Sequence, residues 1–170
     1  GEIYNFKSLK PDLKSKGYQF RSKTDTEVLL YLYIEYGVKC LDMIDGLFSF
    51  AIYDNKKNSL FIARDRFGIK PLVYSLEKGT FYFSSEIKGI LPFLKHREID
   101  PVSLYQYLQF TYTPAPHTVF KGIKKLPPGH YIQLENEKIS IEKYYKLNWE
   151  PKNYTSLSYK KQKDKLFELL

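Results

Sequence analysis

LFSFAIYDNKKNSLFIAR, residues 47–64, is the stretch whose reading decides the fold. Leu47 to Tyr53 and Leu60 to Arg64 are runs of aromatic and aliphatic residues, and Asp54 to Asn58 between them is polar and turn-forming. β-Branched and aromatic side chains suit a pleated, packed surface, so the stretch reads as a hairpin. Apolar residues at consecutive positions predict that it is buried largely on both faces. Leu72 to Ser75 and Thr80 to Ser84, with Gly79 between them, read as a second hairpin. Tyr131 to Leu134 and Ile139 to Tyr144, around Glu135-Asn136-Glu137, read as a third.

Helical patterns fill the intervals. Thr24 and Glu27 have capping-box spacing, Val28, Leu29, Leu32, Tyr33 and Tyr36 line one apolar face, and Gly37 follows, which predicts a helix over 25–36. Leu9 and Leu13 before Gly17 predict a short helix with Pro11 near its first turn, where a missing N–H is tolerated. Glu86 to Leu91 reads as a helix, and Asp100-Pro101 opens another that runs to about Phe110 and ends before Thr113-Pro114-Ala115-Pro116. Antiparallel hairpins with helices segregated between them indicate the α+β class, with helices on the outer faces of sheets. Composition turns polar at Asn148-Trp149-Glu150-Pro151, read as a domain boundary.

A chain of 170 residues holds one domain and is short for two. Its 43% hydrophobic and 17% aromatic content excludes global disorder. No run approaches the roughly 18 apolar residues of a membrane span, and no basic-then-apolar leader opens the sequence, so the expectation is a cytoplasmic protein with no membrane partner. The lone cysteine, Cys40, excludes an intrachain disulfide and a clustered cysteine metal site. The net charge of +8 raises nucleic acid as a partner. The lysines, however, are scattered in pairs (Lys56-Lys57, Lys124-Lys125, Lys160-Lys161) without a nucleic-acid motif, which favours a solvated surface. The sequence starts at Gly1 without a methionine and stops inside a helical pattern carrying Leu166, Phe167, Leu169 and Leu170, so both ends read as cuts.

Few residues form a catalytic set. His96, His117 and His130 lack metal-ligand spacing. Cys40 has two readings, a nucleophile or an inert thiol, and its place in the apolar run from Val38 to Leu41 favours the second. Asp65 to Leu72 packs both charge signs, a Gly and a Pro between apolar segments; it reads as a structural loop whose Arg64, Asp65 and Arg66 pair internally, or as a substrate contact. Asp25 either serves the start of its helix or binds a ligand's ammonium group.

Three motifs in order, Gly1-Glu2-Ile3-Tyr4-Asn5, Thr24-Asp25-Thr26-Glu27-Val28 and Ala63 to Leu72, resemble the class II glutamine amidotransferases. Ser84-Ser85-Glu86-Ile87-Lys88 and the run from Thr118 to Tyr131 narrow the resemblance to the asparagine synthetase branch. It implies an N-terminal-nucleophile fold, a sandwich of two antiparallel sheets between helix layers, here incomplete, with a glutaminase domain over residues 1–145. Residues 146–170 would then be a linker and the first helix of an ATP-dependent synthetase domain. In such enzymes an amino-terminal cysteine attacks the side-chain amide of glutamine, its own α-amine acting as base, and the thioester is hydrolysed to release ammonia. The oxyanion donors are an Asn side chain and the N–H of the following Gly. That Gly matches Gly1; the Asn, the nucleophile and the carboxylate-clamping arginine belong upstream, so no catalytic residue is assigned in this sequence. The glutamine-binding residues implied here are Gly1, Glu2 and Asp25, the last matching the aspartate that pairs with the α-amino group of glutamine. For Asp25 the resemblance favours the ligand role.

The resemblance further implies glutamine and the synthetase domain as partners, with a homodimer among the assemblies admitted. ATP and magnesium belong to the synthetase domain, whose pyrophosphate-binding signature does not occur in this sequence. The acceptor is aspartate or, in other amidotransferases of the branch, a sugar or other metabolite; a noncatalytic scaffold is the rival of a different class.

Overall fold

The computed structural model describes residues 1–148 and 157–169. In chain order the elements are β1 (Glu2–Ile3), α1 (Phe6–Ser15), α2 (Asp25–Tyr36), α3 (Cys40–Met43), β2 (Gly46–Leu47), β3 (Ser49–Asp54), β4 (Ser59–Arg64), β5 (Val73–Glu77), β6 (Thr80–Ser84), α4 (Pro101–Phe110), β7 (Ile123–Lys125), β8 (His130–Glu135), β9 (Lys138–Lys143) and α5 (Tyr159–Leu169). All strand pairs are antiparallel: β1 with β2, a four-stranded sheet in the order β3-β4-β8-β9, and a three-stranded sheet in the order β6-β5-β7.

Alternation along the central strands stacks the layers. On β4, Phe61 and Ala63 join a core with Leu13, Val28, Leu32, Cys40 and Leu41 from α1, α2 and α3. Ile62, one residue out of phase, meets Leu72, Leu126 and Ile132 in a second core between the sheets. A third core, Val73, Ile90, Leu94 and Ile123, lies on the far face of the smaller sheet, covered by the 3₁₀ turns Ile87–Gly89 and Leu91–Phe93. A strand buried on both faces must be apolar at successive positions, which is why the second half of the opening stretch lacks alternation. The stacked order of helices, four-stranded sheet, three-stranded sheet and helical turns is the expected sandwich.

Several local expectations are corrected. The first half of the hairpin is not buried on both faces: β3 is an edge strand, and Ala51 and Tyr53 are exposed. The single strand expected from Leu47 breaks at Phe48, so that Gly46–Leu47 pairs with β1 instead. Pro11 lies inside α1 rather than in its first turn, because the helix begins at Phe6. The helix expected over Glu86–Leu91 is two separate 3₁₀ turns. Pro92 interrupts regular bonding there, and Gly89 backs so closely on Ser84 that a Cβ would lie 2.3 Å from its Oγ.

Hairpin turns follow their chemistry. Lys78-Gly79 and Asn136-Glu137 take positive φ at both residues, the twist-matched two-residue connection. The α4 start is as expected, with Pro101 at its first position and Asp100 accepting from Ser103 N–H at 3.3 Å. The boundary expected at Asn148-Trp149-Glu150-Pro151 lies, beyond its first residue, outside the described residues. No helix among the described residues is long and apolar enough to cross a membrane.

Candidate functional site

The candidate site is a corner where β1, β2 and the start of α2 meet. β1 and β2 pair through Glu2 with Leu47 and Ile3 with Gly46. The backbones approach so closely that a Cβ on Gly46 would lie 2.2 Å from the Glu2 carbonyl oxygen. Ile3 is buried, while Gly1 and Glu2 are exposed at the rim.

Thr24 is the N-cap of α2, its hydroxyl accepting from Glu27 N–H at 3.4 Å. The reciprocal half of the expected capping box is displaced. Thr24 N–H already donates to Ser22 Oγ, and the Glu27 carboxylate reaches further back to the N–H groups of Arg21 and Ser22 at 2.8 and 2.7 Å and to the Ser22 hydroxyl at 2.6 Å. These bonds, first the Ser22 hydroxyl and then the Arg21 N–H, hold the Glu27 carboxyl below its ordinary value.

With the cap supplied by Thr24, Asp25 is free of that task. Its Oδ2 accepts from Ile3 N–H at 2.9 Å, a contact spanning 22 residues of sequence. Its Oδ1 accepts only a long bond from the exposed Thr26 hydroxyl at 3.4 Å. Its partner Ile3 is one residue from Glu2 and two from Gly1, so the three residues singled out in the sequence share one corner. A half-buried carboxylate anchored through one oxygen, at a helix N-terminus whose dipole favours the anion, can receive a ligand ammonium with the other.

Two further residues hold this corner: Asn5, with no role assigned from the sequence, and Arg66, expected to pair within its own loop. Asn5 donates to Met43 O at 2.8 Å and accepts from Asp45 N–H at 2.9 Å, while Tyr4 N–H bonds Asp45 O at 2.7 Å. Arg66 clasps the same turn through Asp45 Oδ1 at 2.8 Å and Ile44 O at 3.2 Å. Partners 20 to 40 residues apart leave no periodic trace; the available signal was that Asn5 lies in the first quoted motif and Arg66 in the third.

The loop from Asp65 is structural, but not by the internal charge pairing expected of it. Asp65, 1% exposed, accepts from the N–H groups of Phe67, Ile69 and Lys70 at 3.1, 3.0 and 2.9 Å. Arg64 donates only to carbonyls, of Lys70 at 2.7 Å, Gly68 at 2.7 Å and Leu126 at 2.5 Å. Each charge satisfies backbone groups that the turn leaves over, which neutral partners would do less well. Burial lowers the Arg64 guanidinium from its ordinary value, with Asp65 opposing. Gly68 has φ +67°, a conformation open to glycine, with Pro128 packed against it.

Cys40 is fully buried, and burial pushes its thiol up to about 12, so it is an inert core residue. The lysine pairs are not uniformly solvated: Lys125 turns inward to Thr113 O, and burial lowers its ammonium from the ordinary value. The three histidines do not converge, and His130 Nδ1 lies 2.7 Å from Pro128 O. Among the described residues no group of His, Cys, Asp and Glu could hold a metal ion.

The family described as the glutamine amidotransferase domain matches residues 1–145. Over 153 residues the chain is 41% identical to asparagine synthetase [glutamine-hydrolyzing] 3 of Bacillus subtilis, covering 88% of this chain and 25% of that protein. Asparagine synthetase [glutamine-hydrolyzing] 2 of the same organism is 49% identical over 140 residues, covering 79% and 18%. Putative asparagine synthetase [glutamine-hydrolyzing] 2 of Methanocaldococcus jannaschii is 35% identical over 165 residues, covering 95% and 31%. The chain therefore spans about a quarter of the length of the curated relatives it matches. Among solved structures, glutamine phosphoribosylpyrophosphate amidotransferase from B. subtilis superposes with a TM-score of 0.59 at 19% identity, over 86% of this chain and 28% of that one, a likeness of fold alone.

Proposed function

The chain belongs to the glutamine amidotransferase domain family, and from that premise we propose that it forms part of the glutamine-hydrolysing domain of an asparagine synthase. The domain supplies ammonia for the ATP-dependent amidation of aspartate. The observation that carries the glutamine site is Asp25, relieved of capping by Thr24 and anchored by Ile3 N–H beside Glu2 and Gly1. An ammonium entering a closing pocket needs a compensating charge, and Asp25 is the carboxylate placed to give it. The acceptor is drawn from the names of the relatives.

In this reading a cysteine thiol outside these residues adds to the side-chain amide carbon of glutamine. Ammonia leaves, a glutamyl thioester forms, and water releases glutamate. Gly1 N–H is one of two donors to the oxyanion. Cys40 takes no part, since its thiol is buried away from the corner's surface and resists ionisation. ATP and magnesium belong to the synthetase domain of the same protein, which works in the cytoplasm. A homodimer fits this reading, and the mass of the full-length protein in solution tests it.

The deciding experiment supplies the full-length protein with glutamine, ATP, magnesium and aspartate. Asparagine, glutamate and AMP are expected in equal amounts. Glutamate formation with no acceptor amidation from aspartate would refute the acceptor, and no glutamate formation under any acceptor would refute the enzyme reading.

A further inference from the structure

The loop that begins at Asp65 satisfies its polar groups internally yet presents two large apolar side chains to solvent, Phe67 at 62% and Ile69 at 57% exposure. Neither adds to a core. The place where the chain leaves the sandwich adjoins them. The N–H groups of Tyr144 and Tyr145 both bond Gly129 O, whose own N–H bonds Asp65 O, and the Tyr145 ring lies 5.9 Å from that of Phe67. Exposed Leu147 follows. On the other side Arg64 ties Gly68 O to Leu126 O, and Lys125 bonds Pro116 O through its N–H and Thr113 O through its ammonium. Through Lys125 and Leu126 the segment from the end of α4, with exposed Phe110 and Tyr112 next to Thr113, is tied to the same loop.

We propose that this surface, Phe67 and Ile69 with Phe110, Tyr112 and Leu147, is the seat on which the synthetase domain of the full-length protein docks. The inference rests on the proposed asparagine synthase reading for the identity of that domain. Three observations select this occupant. The family match ends at residue 145, in the middle of the patch, while the curated relatives run to about four times the length of this chain. The patch surrounds the exit of the chain, so a following domain is delivered to it at high effective concentration. A second copy is disfavoured: the chain carries +8, and exposed Lys146 and half-exposed Lys70 flank the patch, so a symmetric contact would set like charges together. A neutral or acidic apolar face is the matching partner. Clustered exposed apolar side chains are the usual mark of such a contact.

The same loop also reaches the candidate glutamine corner. Arg66, between Asp65 and Phe67, holds Asp45 and Ile44, and Asp45 O is the acceptor for Tyr4 N–H at the end of β1. Docking on Phe67 and Ile69 therefore bears on the turn that braces Ile3 against Asp25, which links domain contact to the place where ammonia is released.

Hydroxyl-radical footprinting of the full-length protein reads the side chains directly. Corrected for the intrinsic reactivity of each side-chain type, Phe67, Ile69 and Tyr112 are expected to be labelled about tenfold more slowly than Tyr53 and Ile34, which are exposed to a similar degree away from this loop. Ile69→Lys, at an exposed position outside the glutamine corner, is expected to restore labelling of Phe67 and Tyr112. It should also lower asparagine formed per glutamine hydrolysed, with ammonia-dependent asparagine formation retained. Ile34→Ser should do neither. Labelling of Phe67 and Tyr112 as fast as that of Tyr53 overturns the proposal, as does protection that disappears on dilution, the sign of a second copy. Protection without any asparagine formation leaves the docking surface standing and refutes the functional reading instead.

Discussion

Two carboxylates at turns of this chain differ in how fully the fold occupies them. Asp65 is buried and accepts three backbone N–H groups; Asp25 is half-buried and accepts one. Both lie in motifs that the family resemblance singles out, and both are charged groups at the edge of an apolar run. The difference teaches where function can reside. A carboxylate whose acceptor sites are saturated by its own loop holds that loop together, whereas one anchored through a single oxygen keeps capacity for a ligand.

The contrast breaks or sharpens under substitution. Asp65→Ala leaves three buried N–H groups without their acceptor and removes the nearby anion that offsets the desolvation of the Arg64 charge, and is expected to destabilise the domain by about 3–5 kcal/mol. Urea unfolding followed by circular dichroism measures this, and a loss below about 1 kcal/mol would remove the structural role assigned to the loop. Asp25→Asn should cost less than about 1 kcal/mol in the same assay, because the amide oxygen can still accept from Ile3 N–H. Its effect belongs in the glutamine kinetics of the full-length enzyme: loss of a charge-assisted contact worth about 1.5–3 kcal/mol raises KM roughly 10- to 100-fold. An unchanged KM would return Asp25 to the role of a helix-terminus residue.

Smaller effects test how the two regions are joined. Arg66→Ala removes a part-exposed ion pair with Asp45 and is expected to weaken the fold by about 0.5–1 kcal/mol. If the clasp matters to the corner, the KM for glutamine rises with it. The smallest effect is one of pH. The Glu27 carboxyl is held below its ordinary 4.5 in the folded chain, so its contribution is fully present above that value and fades as pH falls through the depressed one. Glu27→Gln should flatten the acid limb of the stability profile below about pH 4.5 and leave the neutral region nearly unchanged. An acid limb of undiminished slope would mean that other carboxylates carry it.

Much of the local structure was legible. The α2 start at Thr24, the Asp100-Pro101 opening of α4 and the three hairpins follow from capping groups, turn residues and apolar runs, all signals contained within a few positions. The misreadings share one cause. Ala51 and Tyr53 face solvent because the core between the sheets takes residues from β4, β8 and β9 but none from edge strand β3, and strand order is set by which hairpins meet, here β4 with β8 across some seventy residues. Glu27 bypasses its expected partner because Ser22 Oγ already accepts from the Thr24 N–H.

For the site, residue types and motif order marked Gly1, Glu2 and Asp25, and the resemblance implied their ligand. By itself the sequence determined the α+β class and its hairpins, because propensity, capping and turn geometry act over neighbouring residues. Only the tertiary structure decided that the Asp25 carboxylate bonds Ile3 N–H, that Asn5 and Arg66 hold the turn behind it, and that the Asp65 carboxylate serves its loop alone. A hydrogen bond depends on the distance between atoms in space, and that distance is created by the packing of elements whose separation in sequence carries no record of it.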